Sequence, residues 1–148
     1  MSTKMGDTLY TFPAGTSVVF DGSATFNAAQ VGQEVAVTIT GIPLLGAGSV
    51  QRVVSPCAGT IVKIWSVLNG EAIATGNATL TGKIGSTAIT NGVLTIAVAD
   101  SAVGDIDSAT PTAANTVVAG SDINFSLGGT NTAEDAKVTV TVVIKRSA

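Results

Sequence analysis

Ten carboxylates, one cysteine and no histidine are the material from which this 148-residue chain would have to build any chemistry. Three of the carboxylates, Asp100, Asp105 and Asp107, fall within eight positions, with Gly104 among them for a sharp turn. Oxygen ligands at such spacing could hold Ca²⁺, but the EF-hand order of Gly at the sixth and Glu at the twelfth position is missing. The competing reading is a solvated loop whose Asp side chains cap turns, the commoner use of such residues. No metal is assigned, and these three are the residues that would hold one. Glu34 and Glu71 have the chemistry of a glycosidase pair, yet nothing in the sequence brings them together. Cys57 lies beside Pro56 and near Gly59, with Arg52 the one basic residue within five positions, so nothing holds it as a thiolate and it reads as a buried, inert thiol. Without histidine there is no Ser-His-Asp or Cys-His arrangement, and one cysteine makes no zinc site of standard composition. The Gly41–Gly48 stretch matches neither a P-loop nor a dinucleotide fingerprint. The roles an active site must fill stay empty, and the chain reads as a non-enzyme with no cofactor.

With no site to position, the elements themselves become informative. Charged residues are 11% of the chain, against about 25% in ordinary soluble domains. Apolar runs are interrupted by Gly, Ser, Thr, Asn and Pro, and none has the roughly 18 residues of a membrane helix. A surface of Thr, Ser, Ala, Asn and Gly is poorly soluble alone and suits a protein partly covered by partners. The net charge of −3, with seven scattered basic residues, argues against nucleic-acid binding. Met1–Asp7 lacks the basic-then-apolar order of a signal peptide and a single cysteine makes no intrachain disulfide, which together suggest assembly in a cytoplasm.

Residues 1–16 read as an extended N-terminal arm. There Leu9, Tyr10, Phe12 and Pro13 cluster as residues that pack on something else. Residues 17–148 read as one domain, within which 17–50 form a semi-independent N-terminal part. Ser17–Phe20 and Glu34–Thr40 are strand candidates, and Gly41–Ser49 is a loop too apolar to be bare, whose Ile42, Leu44 and Leu45 are expected to pack or to meet a neighbour. The stretch Arg52–Leu68 then passes a breaker, Ser55-Pro56-Cys57-Ala58-Gly59, into the densest β-branched segment, read as the opening strand of a sandwich. Its Trp65 alternates with Ile61 and Lys63, which leaves both core and outer face open to it. Further strands are expected at Ala72–Ala74, Ala78–Ile84, Ala88–Thr90, Val93–Ala99, Thr116–Val118, Ile123–Leu127 and Lys137–Arg146. Asn69-Gly70 and Asn91-Gly92 serve as turns, and 100–114 as a long polar loop. The last strand has the cleanest alternation, Val138, Val140, Val142 and Ile144 against Thr139, Thr141 and Val143. Short strands every ~8–12 residues, with no capped helix, indicate an all-β, antiparallel sandwich of jelly-roll or Greek-key type.

In motif order the stretch from Val53 to Val143 resembles small phage structural proteins of the capsid decoration (cement) and head-fibre type. The residues that carry the likeness are Ser55–Ile61, Trp65–Gly70, Gly104–Thr112, Val118–Asp122 and the terminal strand. Family members often have Gly-Asp where this chain reads Gly120-Ser121-Asp122. The resemblance implies a trimeric sandwich on the outside of an icosahedral head, and it transfers no catalytic residue. The expectation is therefore a virion protein that clamps neighbouring major capsid subunits, with that protein and its own copies as partners. Leu9, Tyr10, Phe12, Pro13, Leu44, Leu45 and Trp65 would supply the contacts. The alternative is a head-fibre or tail-fibre adhesion module that binds carbohydrate, although sugar platforms usually need more exposed aromatics. A tail-tube or baseplate ring subunit is a third reading.

Overall fold

A computed structural model describes residues 32–147. The N-terminal arm with Leu9, Tyr10, Phe12 and Pro13, and the strand expected at Ser17–Phe20, lie outside those residues. The described chain is all-β, with no helix among its residues. Its strands are β1 (Glu34–Pro43), β2 (Val50–Val54), β3 (Gly59–Asn69), β4 (Ala78–Ile84), β5 (Thr87–Ile96), β6 (Ile106–Ala109), β7 (Thr116–Val117), β8 (Asp122–Gly129) and β9 (Lys137–Arg146). They form two antiparallel sheets. One has the order β1-β9-β3-β6, with β7 also pairing β3, and the other has the order β2-β8-β4-β5.

Period-two alternation explains why the sheets stack. In β9, Val138, Val140, Val142 and Ile144 are wholly buried while Thr139, Thr141 and Val143 are only half-buried. Their cross-strand partners on β3 include Ile61, Ile64 and Leu68, also wholly buried. The facing sheet contributes Leu80, Leu94, Ile96, Ile123, Phe125 and Leu127, and the two inner faces close into one hydrophobic cluster. Cys57 is a buried free thiol in that cluster.

Several expectations need correction. Arg52–Leu68 does not open the sandwich. Val50–Val54 is a strand of the four-stranded sheet, and β3 lies in the middle of the other, between β9 and β6. The Ser55–Gly59 breaker carries the chain between sheets, and backbone bonds fasten it in both directions: Ser55 N to Ser121 O at 2.9 Å, and Gly120 N to Ser55 O at 2.9 Å. The Gly41–Ser49 loop begins later than expected. β1 continues through a register shift between Ile39 and Ile42, where Gly41 takes φ +69°, and this swings Ile42 and Leu44 into the core. Leu44 is thus a packing residue and not a surface contact. Ala72–Ala74 is no strand: Ile73 is buried, and the Ala74 amide donates to Asn131 Oδ1 at 2.9 Å. The polar loop expected at 100–114 contains β6, paired to β3 from Ile64 to Val67.

Asn91-Gly92 is not a turn. β5 runs through it, with Thr81 paired to Val93 and Lys83 to Ala88, so four residues bulge opposite Gly82 alone. The bulge pairs sideways with the segment near Pro111, the Thr90 amide donating to Ala113 O at 3.0 Å and the Thr112 amide to Thr90 O at 3.1 Å. Gly82 leaves the space this needs, since a Cβ there would stand 2.9 Å from the Gly92 carbonyl oxygen and 3.3 Å from the Phe125 ring.

Two substitutions test this packing by urea unfolding. Phe125→Ala is expected to lower stability by about 3–5 kcal/mol, the usual cost of emptying an aromatic core site. Gly82→Ala is expected to cost about 1–3 kcal/mol, because both neighbours of the added methyl belong to packed elements. Unchanged midpoints would contradict the packing.

Candidate interaction surface

The outer face of the five-stranded sheet carries the chain's one tryptophan, exposed. The register sets its side chains in rows across the strands. Beginning where the described chain enters the sheet, the rows are Glu34–Lys145–Thr60, Ala36–Val143–Lys63, Thr38–Thr141–Trp65–Ser108, and Thr139–Val67–Ile106. Between that first row and the last, Pro43–Lys137–Asn69 with its exposed Lys137, the only charged side chain is Lys63. Trp65 is 42% exposed and Ile106 65% exposed, which places the tryptophan on the outer face, the side its sequence environment left undecided. Val67 and Val143 are half-buried between them.

Lys63 and Trp65 lie two residues apart on one strand, hence on one face. The Lys63 ammonium sits 4.8 Å from the Trp65 ring centroid and donates to Thr110 Oγ1 at 2.9 Å. The ring's negative face attracts the cation, which holds the indole down on the sheet. Beside it, the Thr38 and Thr141 hydroxyls are 3.3 Å apart across strands. The outer face of the four-stranded sheet also mixes charged, hydroxyl and apolar groups: it carries the Arg52–Asp122 ion pair, Lys83 and threonines at 79, 81 and 95, with Val50, Val54 and Val93 exposed among them and no aromatic residue among the described ones. Leu45 is exposed at 42% on the loop after β1, away from these rows.

The carboxylates named from sequence are placed as follows. Glu34 begins β1 beside Lys145, whereas Glu71 follows β3 beyond the Asn69–Lys137 pair and accepts the Asp135 amide at 2.7 Å. Lys145 and Lys137 are eight positions apart on β9, roughly 27 Å along a strand, so the two glutamates lie far beyond glycosidase spacing. Asp100, Asp105 and Asp107 do line one open cavity of about 250 Å³ with Ile96, Ala97, Ala99 and Ile106. No set of three carboxylates among the described residues has metal-holding geometry. Asp105 Oδ2 accepts the Ala102 amide at 2.6 Å, and the Asp105 amide donates back to Ala102 O at 3.0 Å; this is turn capping. Asp107 is half-buried opposite Ser66, and burial raises its carboxyl above the ordinary aspartate value of 3.8, with the charge of Asp105 adding to the rise.

Sequence reasoning placed Val143 on the side opposite the Val138–Ile144 row, as found, but missed Ile106 and Val67 as surface residues. Ile106 was assigned to a loop, where a lone apolar residue carries no face. The signal was its alternation with Asp107, Ser108 and Ala109, four residues long and masked by flanking Gly and Pro.

A carboxyl whose pKa is higher folded than unfolded adds stability that is complete below the unfolded value and lost as pH rises through the raised one. Asp107→Asn is therefore expected to unfold at higher urea than the parent near neutral pH. The advantage should vanish below about pH 4. A flat difference across pH would show that Asp107 is not strained by burial. The sequence itself matches no family model and no curated protein.

Proposed function

We propose that this chain is a non-enzymatic structural protein of a phage virion, a cement that binds the outside of the head and clamps neighbouring major capsid subunits as a homotrimer. The observation that supports it best is the middle of that outer sheet face, where Trp65 is exposed and Lys63 is the one charge between the Lys145 and Lys137 rows. A free monomer has little use for such a face, and an exposed tryptophan on a rigid sheet is a typical binding anchor. The motif order shared with decoration proteins points the same way. Mechanically, a sandwich with a single packed core is a stiff block, so a contact at one face is transmitted across the clamp without deforming it. Each clamp adds a modest interface free energy, and many copies sum to resistance against pressure inside the shell. The arm at residues 1–16 would supply the reach between subunits.

Removing residues 1–14 should abolish binding to expanded, undecorated heads while circular dichroism shows an intact β fold. Full occupancy by the truncated protein would refute the arm's role. Sedimentation should give a trimer, whereas a hexamer would favour a ring subunit of a tail. The exposed Trp65 also supports a second reading, a sugar-stacking adhesion module. Glycan-array binding that is lost in Trp65→Ala, with no binding to heads, would establish that instead.

A further inference from the structure

Trp65 lies two strands away from β1 and level with Thr38, four positions along from Glu34. At sheet spacings this is about 17 Å from where residue 33 leads into β1. The sequence before that point includes Thr8–Phe20, thirteen residues without a charge, which holds Leu9, Tyr10, Phe12, Val18, Val19 and Phe20. Three of the six aromatic side chains of the whole protein are in it. Gly32 and Gln33 are already bonded to Arg146 of β9, which leaves Asp21–Val31 as the connection, and eleven residues treated as a free chain would have an end-to-end distance of about 18 Å. A linker whose length matches the span to its site gives the highest effective concentration, in the millimolar range, so a weak apolar contact is populated within one chain.

We propose that Thr8–Phe20 docks on the outer face of the five-stranded sheet of its own chain, covering Trp65. The match is chemical as well as geometric. Between the Lys145 row and the Lys137 row, the face has apolar and hydroxyl side chains and one cation already engaged with the indole, and the segment has apolar, hydroxyl and aromatic residues with no charge to desolvate. Docking in this way removes from water the apolar surface that would otherwise drive copies together. The inference concerns the free chain and stands whether or not the chain binds a shell.

The protein carries its own probe, because Tyr10 is the only tyrosine and Trp65 the only tryptophan. Exciting the tyrosine in the full chain should give sensitised Trp65 emission. The signal should be lost in Tyr10→Phe and stay unchanged on dilution. A full-length variant carrying Leu9→Ser and Phe12→Ser should lose most of it, red-shift Trp65 and raise its quenching by acrylamide. Absent transfer would overturn the proposal, as would transfer that the serine variant leaves intact. Transfer that falls away on dilution would also overturn it and assign the face to a second copy.

Discussion

The structure depends on the pairing of β9 between β1 and β3. Ten residues of β9 pair with β3 and eight of them also with β1, and its inward row of three valines and an isoleucine is wholly buried. Each such side chain contributes about 1.5–3 kcal/mol relative to exposure. A slip of one residue would turn that row to solvent and put Thr139 and Thr141 into the core, unpaired. One strand therefore decides, through burial alone, which side of the five-stranded sheet is interior and which is surface. The position of Trp65 outside is a consequence of that register, since its partner on β9 is Thr141.

The middle rows of that outer face are unusual in what they lack. Sheets in soluble proteins generally keep charges on exposed faces and edges, which prevents one sheet from adding to another. Here the residues from Val35 to Thr40 on β1 are uncharged, and among the described residues β1 pairs on one side only. Threonine hydroxyls are the chief polar groups on the face. They satisfy water without the hydration that a carboxylate or ammonium would lose on contact, so covering this surface costs little. Between the end rows of Lys145 and Lys137, Lys63 is the exception, and its charge is spent locally on the Trp65 ring and Thr110.

The acidic segment shows how a chemical motif can be a structural one. Asp105 closes its own turn, Gly104 donates its amide to Leu68 O at 2.8 Å, and the Leu68 amide donates to Asp105 O at 2.9 Å. These bonds deliver the chain to the edge of β3, where β6 begins. Asp107 then points to the inner side of the sheet opposite Ser66, whose buried hydroxyl has no partner. Both features raise the cost of this corner of the sandwich. Neither collects ligands around a point.

The sequence by itself determined the all-β class and most strand positions. Residues 78–84 and 137–146 alternate so regularly that their strands begin and end where read, and Ile123, Phe125 and Leu127 face inward as the pattern requires. Such strands are legible because burial of one face imposes period two on the chain itself. Tertiary structure decided the rest. Asn91-Gly92 has the composition of a tight turn, but the positive φ of Asn91 (57°) is used for a bulge, because Gly82 and the segment near Pro111 offer it partners remote in sequence. Leu44 and Leu45 are equivalent as neighbouring letters, and only the β1 bulge sends one into the core and leaves the other exposed. The interaction face is the extreme case. Val143, Thr141, Trp65, Val67 and Ile106 come from three strands, and no local pattern predicts which strands will lie side by side. Sheet order is set by which inner faces fill the core best, a property of the whole chain and not of any one segment.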